Sequence, residues 1–78
     1  MPDVEIKRKV QLSREEVAAR LITIARALVE QPVTHLELDG DSIRIAVPEQ
    51  MQWEFELEVE GDETELEIEL KWRDGGGP

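Results

Sequence analysis

The chain has 78 residues, with nine Lys and Arg against 19 Asp and Glu, a net charge of -10 and no cysteine. A chain this short builds one hydrophobic core, because small domains remove only about 60% of their unfolded surface from water, and a large enclosed active site is not expected. The composition also excludes disulfides, thiolate metal sites and thiol nucleophiles, and it disfavours nucleic acid and anionic membranes as partners.

Residues 1–10 carry charges throughout and lack the apolar region of a secretory signal, and no apolar run approaches the roughly 20 residues that span a bilayer. A cytoplasmic location is therefore expected. Residues 3–12 alternate between apolar and polar side chains, which predicts a strand with one buried face. Arg8 falls on the apolar side, so we expect it beyond the cover of a helix or with its guanidinium reaching water. The apolar face is Val4, Ile6, Val10 and Leu12.

Ser13-Arg14-Glu15-Glu16 has the pattern of a capping box, which predicts the start of a helix. Pro32 lacks an amide hydrogen and restricts the residue before it, so the helix should end near Glu30. Its apolar positions recur at helical spacing and predict a broad face packed on a sheet. They are Val17, Leu21, Ile24 and Leu28, flanked by Ala18, Ile22, Ala25 and Val29.

Two hairpins are predicted after the helix, since the apolar period changes to two. In the first, a turn at residues 39–42 places Leu38 opposite Ile43. In the second, the preferred register places Val59 opposite Leu66, Leu57 opposite Ile68 and Trp53 opposite Trp72. A tighter turn at Gly61 and Asp62 is the alternative, and it would pair Trp53 with Leu70.

These elements predict an α+β fold, with one amphipathic helix packed on a five-stranded, mostly antiparallel sheet in the order β-α-β-β-β-β. The domain spans residues 1–73, and residues 74–78 form a flexible Gly-rich tail. Two positions remain open for the first strand. It pairs with the last strand, where Lys7 and Lys9 would face glutamates, or it runs parallel to the second strand after a right-handed crossover.

The opening strand, the segment Ser13-Arg14-Glu15-Glu16-Val17 and the acidic final hairpin ending Leu70-Lys71-Trp72-Arg73 together resemble the amphi-Trp domain family. The resemblance covers residues 3–73 and implies the same small α+β fold. No reaction is assigned to that family, so the resemblance implies no catalytic residue.

Few side chains in the sequence are suited to catalysis or to metal binding. His35 lies out of phase with the apolar residues of its strand, which indicates an ordinary solvent-facing imidazole. Asp39 and Asp41 offer oxygen ligands, but their spacing is typical of a hairpin turn rather than of a calcium loop. We therefore expect no metal, no cofactor and no enzymatic activity.

Two surfaces of the last hairpin are candidate binding sites. An aromatic end of the sheet contains Trp53, Phe55 and Trp72; it either closes the core or binds an apolar ligand or a second copy. The opposite face is acidic and either solvates the strands or docks a basic partner. Its members are Glu54, Glu56, Glu58, Glu60, Glu65, Glu67 and Glu69.

The function expected from these features is a non-catalytic binding or self-assembly module, whose partner is another protein or a second copy in a homodimer. The alternative is a carrier of a small apolar ligand, with a pocket between helix and sheet. The sequence does not identify the partner or ligand.

Overall fold

The computed structural model describes residues 4–30, 32–38 and 40–73. In chain order the elements are helix α1 (Arg14–Glu30) and strands β1 (Val33–Leu38), β2 (Asp41–Ala46), β3 (Gln52–Glu60) and β4 (Glu63–Lys71). The strands form two separate two-stranded sheets, β1–β2 and β3–β4, both antiparallel. The predicted α+β class is confirmed. The predicted tail, residues 74–78, lies outside the described residues.

Helix α1 begins with the predicted capping box. The Ser13 amide donates to Glu16 Oε1 at 3.1 Å, and the Glu16 amide donates to Ser13 Oγ at 3.1 Å. The bond from the Ser13 amide, helped by the Ser13 side chain and by Arg20, lowers the pKa of the Glu16 carboxyl. These bonds satisfy amide groups that the first helical turn leaves without partners. The helix ends at Glu30, as Pro32 predicted.

The first hairpin has a different register from the predicted one. Leu36, not Leu38, lies opposite Ile43, and Leu38 lies opposite Asp41. The predicted turn of four residues was wrong, because only two residues connect β1 and β2. Gly40 has a φ of 85°, a conformation that side chains disfavour and that two-residue hairpin turns require.

The second hairpin follows the alternative register. Trp53 lies opposite Leu70, and Leu57 lies opposite Leu66. The preferred register, with Leu57 opposite Ile68, was wrong for the same reason as in the first hairpin. Gly61 has a φ of 61° and allows a two-residue turn with Asp62.

The strand predicted over residues 3–12 is not observed, since residues 4–12 form neither a helix nor a strand and Asp3 lies outside the described residues. Their side chains meet the first hairpin instead of pairing with a strand edge. The Arg8 guanidinium forms an ion pair with the Asp41 carboxylate, and Val4 and Ile6 line a cavity shared with that hairpin. The sheets therefore contain four strands within the described residues, and the five-stranded sheet is not present.

The core of the described residues is small. Helix α1 lies against β1, and its one buried side chain is Ala27. Leu21 and Ile22, predicted to cover the sheet, are 51% and 52% exposed. No residue contacts between elements join β3 or β4 to the helix or to the first hairpin within the described ranges. The helix thus lies against β1 of the first hairpin, and no described element packs on either face of the second hairpin.

The accessible surface of the chain reflects this missing layer. It measures 7430 Å², whereas about 4,800 Å² is expected for a folded monomer of this mass. The ten residues outside the described ranges account for at most about 1,650 Å² of surface, the value for fully extended chain. The radius of gyration is 14.4 Å, against about 11.5 Å for a compact domain of this length. The chain alone therefore leaves apolar surface that a folded domain normally buries.

Candidate functional site

The main candidate site is the β3–β4 hairpin, residues 52–71, called the ribbon from here on. Its strands alternate side chains between two faces, so one face is apolar and the other is acidic. Leu57, at the centre of the apolar face, is 55% exposed and its cross-strand partner Leu66 equally so. The apolar face consists of Trp53, Phe55, Leu57, Val59, Leu66, Ile68 and Leu70.

The predicted aromatic site is divided in the structure. Trp53 and Phe55, two residues apart on β3, stack with ring centroids 6.4 Å apart and planes 8° from parallel. Trp53 is 61% exposed. Trp72 makes no ring contact with either of them in the described part of the chain, because the actual register places Leu70 opposite Trp53. Two of the three predicted aromatic residues therefore remain together, on the apolar face.

Trp72 instead links the ribbon to the first hairpin. Its indole Nε1 donates a hydrogen bond to the Ala46 carbonyl oxygen at 2.8 Å, and its side chain is half-buried beside the connection before β3. A tryptophan suits this position because it combines a large apolar ring with one donor. Sequence reasoning missed this contact, because a backbone acceptor 26 residues away leaves no local pattern.

The acidic face consists of glutamates paired directly across the ribbon. Glu54 lies opposite Glu69 and Glu56 opposite Glu67, so like charges face each other in a geometry that destabilises a sheet. Lys71 lies opposite Gln52, whereas the preferred register would have placed it opposite Glu54. Glu63 also lies on this face, whereas the predicted register had placed Glu63 in the turn. The face consists of Glu54, Glu56, Glu58, Glu60, Glu63, Glu65, Glu67 and Glu69.

No ion pair relieves these carboxylates within residues 4–30, 32–38 and 40–73. The salt bridges there join Arg8 to Asp41 and Lys7 to Glu5, the latter at 3.6 Å. The predicted contact of Lys7 and Lys9 with the last strand is absent. Charge is nevertheless segregated along the chain: residues 4–30 carry six basic and four acidic side chains, and residues 52–71 carry nine acidic side chains and one lysine.

A second candidate site is a cavity of about 510 Å³ between residues 4–8 and the first hairpin. Apolar side chains dominate its lining, and the Arg8–Asp41 ion pair supplies its charge. The predicted pocket lay between helix and sheet, whereas this cavity has no helical residue in its lining. Its residues are Val4, Ile6, Arg8, Leu36, Leu38, Asp41 and Ile43.

The described residues include the histidine and the carboxylates that the sequence offered for catalysis and metal binding. His35 is exposed on β1, as predicted, with Arg44 as its cross-strand neighbour. Among the described residues, no three His, Asp or Glu side chains group closely enough to hold a metal ion. No helix in the described part of the chain is long and apolar enough to cross a membrane.

Comparison with known proteins identifies one protein family. The profile of the Amphi-Trp domain matches residues 1–78. No curated protein and no solved structure matches the chain significantly.

Proposed function

The chain belongs to the Amphi-Trp domain family over residues 1–78, and we propose that it is a non-catalytic self-assembly module in which the apolar face of the ribbon is covered by a second copy. One observation carries the proposal: the ribbon exposes a continuous apolar face that no part of the described chain covers. An isolated two-stranded hairpin is marginally stable at best in water, so this face needs another layer.

The exposed area suits a stable interface between two copies. The chain exposes 7430 Å², about 2,600 Å² more than a folded monomer of its mass. Even after the greatest allowance for the residues outside the described ranges, about 950 Å² remains for each chain. A standard stable interface buries about 800 Å² on each partner, and permanent dimers bury more.

Helix α1 of the second copy supplies the missing layer in this proposal. The helix side chains Val17, Leu21 and Ile22 form an apolar surface that the hairpins of the same chain leave exposed. The helix has 17 residues and is about 25 Å long, close to the roughly 30 Å length of a nine-residue strand. The predicted packing of one helix on a sheet therefore occurs between two copies in this proposal.

The experiment is sedimentation equilibrium of the full chain over a range of concentrations. A dimer has a mass near twice the 8.9 kDa of the chain. Replacing the opposed pair Leu57 and Leu66 with glutamine should weaken the dimer, because both side chains lie on the apolar face. Replacing the opposed pair Glu58 and Glu65 with glutamine is the matched control and should leave the dimer intact. A wild-type chain that stays monomeric at every concentration contradicts the proposal.

The cavity at the first hairpin favours a second candidate function, a carrier of a small apolar ligand. Its volume of about 510 Å³ lies within the range of small-molecule sites, and Arg8 lies in its lining. Titration with decanoate followed by NMR tests this function. Shifts confined to the methyl groups of Ile6, Leu36 and Ile43 support it, and their absence contradicts it.

A further inference from the structure

The two outer edges of the ribbon carry unpaired backbone groups, because β3 and β4 pair only with each other in the described residues. An open edge accepts an added strand through main-chain hydrogen bonds, while alternating side chains determine the register. Residues 4–12 alternate in the manner of a strand yet pair with no edge. Their side chains Val4 and Val10 are 67% and 58% exposed.

We propose that residues 4–12 of a second copy add to the β4 edge as an antiparallel strand, in the register that places Glu5 opposite Lys71. The inference rests on the proposed self-assembly and specifies its contact. Two copies related by a twofold axis exchange these segments reciprocally, so each ribbon becomes a three-stranded sheet.

Charge selects this register. With Glu5 opposite Lys71, Lys7 lies opposite Glu69 and Lys9 opposite Glu67, so three opposite-charge pairs form on one face. A shift of two residues in one direction places Glu5 opposite Glu69, and in the other it places Lys7 opposite Lys71. Both shifts juxtapose like charges, which destabilises cross-strand pairs. The β3 edge has no basic residue to oppose Glu5.

The same register aligns the apolar side chains. Ile6 lies opposite Leu70 and Val10 opposite Leu66, with Arg8 between them opposite Ile68. Two of these three side chains therefore extend the apolar face of the ribbon by one strand. Arg8 must leave Asp41 to make this exchange, and an ion pair whose side chains are 45% and 44% exposed contributes little to stability. Leu12 falls near the ribbon turn, so the helix that starts at residue 14 runs back over the apolar face, as the proposed assembly requires.

Charge reversal and its rescue test the register. Lys7→Glu should raise the dimer dissociation constant about 5- to 30-fold, because an attractive pair becomes repulsive in each of two symmetric contacts. Adding Glu69→Lys should restore the wild-type dissociation constant. Adding Glu65→Lys, the matched control with the same net charge, should not.

The results of these dissociation measurements distinguish failure of the register from failure of the self-assembly proposal. A dimer that Lys7→Glu leaves unchanged, or that Glu65→Lys rescues as well as Glu69→Lys, overturns the register and leaves the self-assembly proposal standing. A wild-type monomer overturns both. Far-ultraviolet circular dichroism verifies that each variant keeps the helix, and Lys9→Glu with Glu67→Lys repeats the test if the first pair of variants fails to fold.

Discussion

Leu57→Ala distinguishes an isolated chain from an assembled one through its effect on the free energy of unfolding. In the chain alone Leu57 is 55% exposed. Full burial of a leucine side chain is worth about 1.5–3 kcal/mol, so truncation of this half-exposed one should cost about 1 kcal/mol. If a second copy covers the apolar face, the cost rises to about 2–5 kcal/mol, because truncation then leaves a cavity in a packed interface.

Urea unfolding at about 2 and 200 μM chain measures this difference, since the stability of a dimer increases with concentration. Glu58→Ala is the control, because the next residue on β3 lies on the acidic face and its truncation removes a repulsion from Glu65. A cost of about 1 kcal/mol at both concentrations, with a wild-type midpoint independent of concentration, would show that no second copy covers Leu57.

Three further predictions concern single contacts. Trp72→Phe removes the donor to the Ala46 carbonyl and should destabilise the chain by about 1 kcal/mol in urea unfolding; an unchanged midpoint contradicts the link. The pKa of Glu16 is lowered by its bonds with Ser13, so its carboxylate stabilises the helix above its usual pKa, and this contribution is lost as pH falls through the lowered value. Thermal melts should therefore show Glu16→Gln less stable than wild type at pH 7 but equal at strongly acidic pH, and a constant difference argues against the cap. Gly40→Ala should cost about 1–2 kcal/mol by urea unfolding, because Gly40 has a φ of 85°; Gly40→Asn should cost less, and equal stability of both variants with wild type argues against the turn.

The helix could be predicted from the sequence because its signals are local. Ser13 and Glu16 are three residues apart, and Pro32 lies two residues beyond the last helical residue. Hairpin registers were harder, because a turn of two residues and one of four both keep the apolar faces aligned. Glycine at positive φ decides between them at Gly40 and Gly61, and a sequence shows the glycine but not its φ.

The two faces of the ribbon could also be predicted, since a register error of two residues leaves each side chain on the same face. The position of Trp72 could not be predicted. The preferred register placed Trp72 opposite Trp53, whereas in the structure it lies beyond the end of β4. The absence of a covering layer on the ribbon could not be predicted either. Sequence alternation shows that the side of Leu57 is apolar, but which element packs on it depends on contacts distant in the chain.

In the proposed dimer, the apolar face of the ribbon packs on helix α1 of a second copy. Isotope-filtered NMR on a mixture of carbon-13-labelled and unlabelled chains tests it most directly, because only contacts between two chains give a signal. We expect intermolecular signals from the methyl groups of Leu57 and Ile68 to those of Leu21 and Ile22. Contacts between the same methyl groups that appear only within one chain would contradict it, since the ribbon would then fold over its own helix.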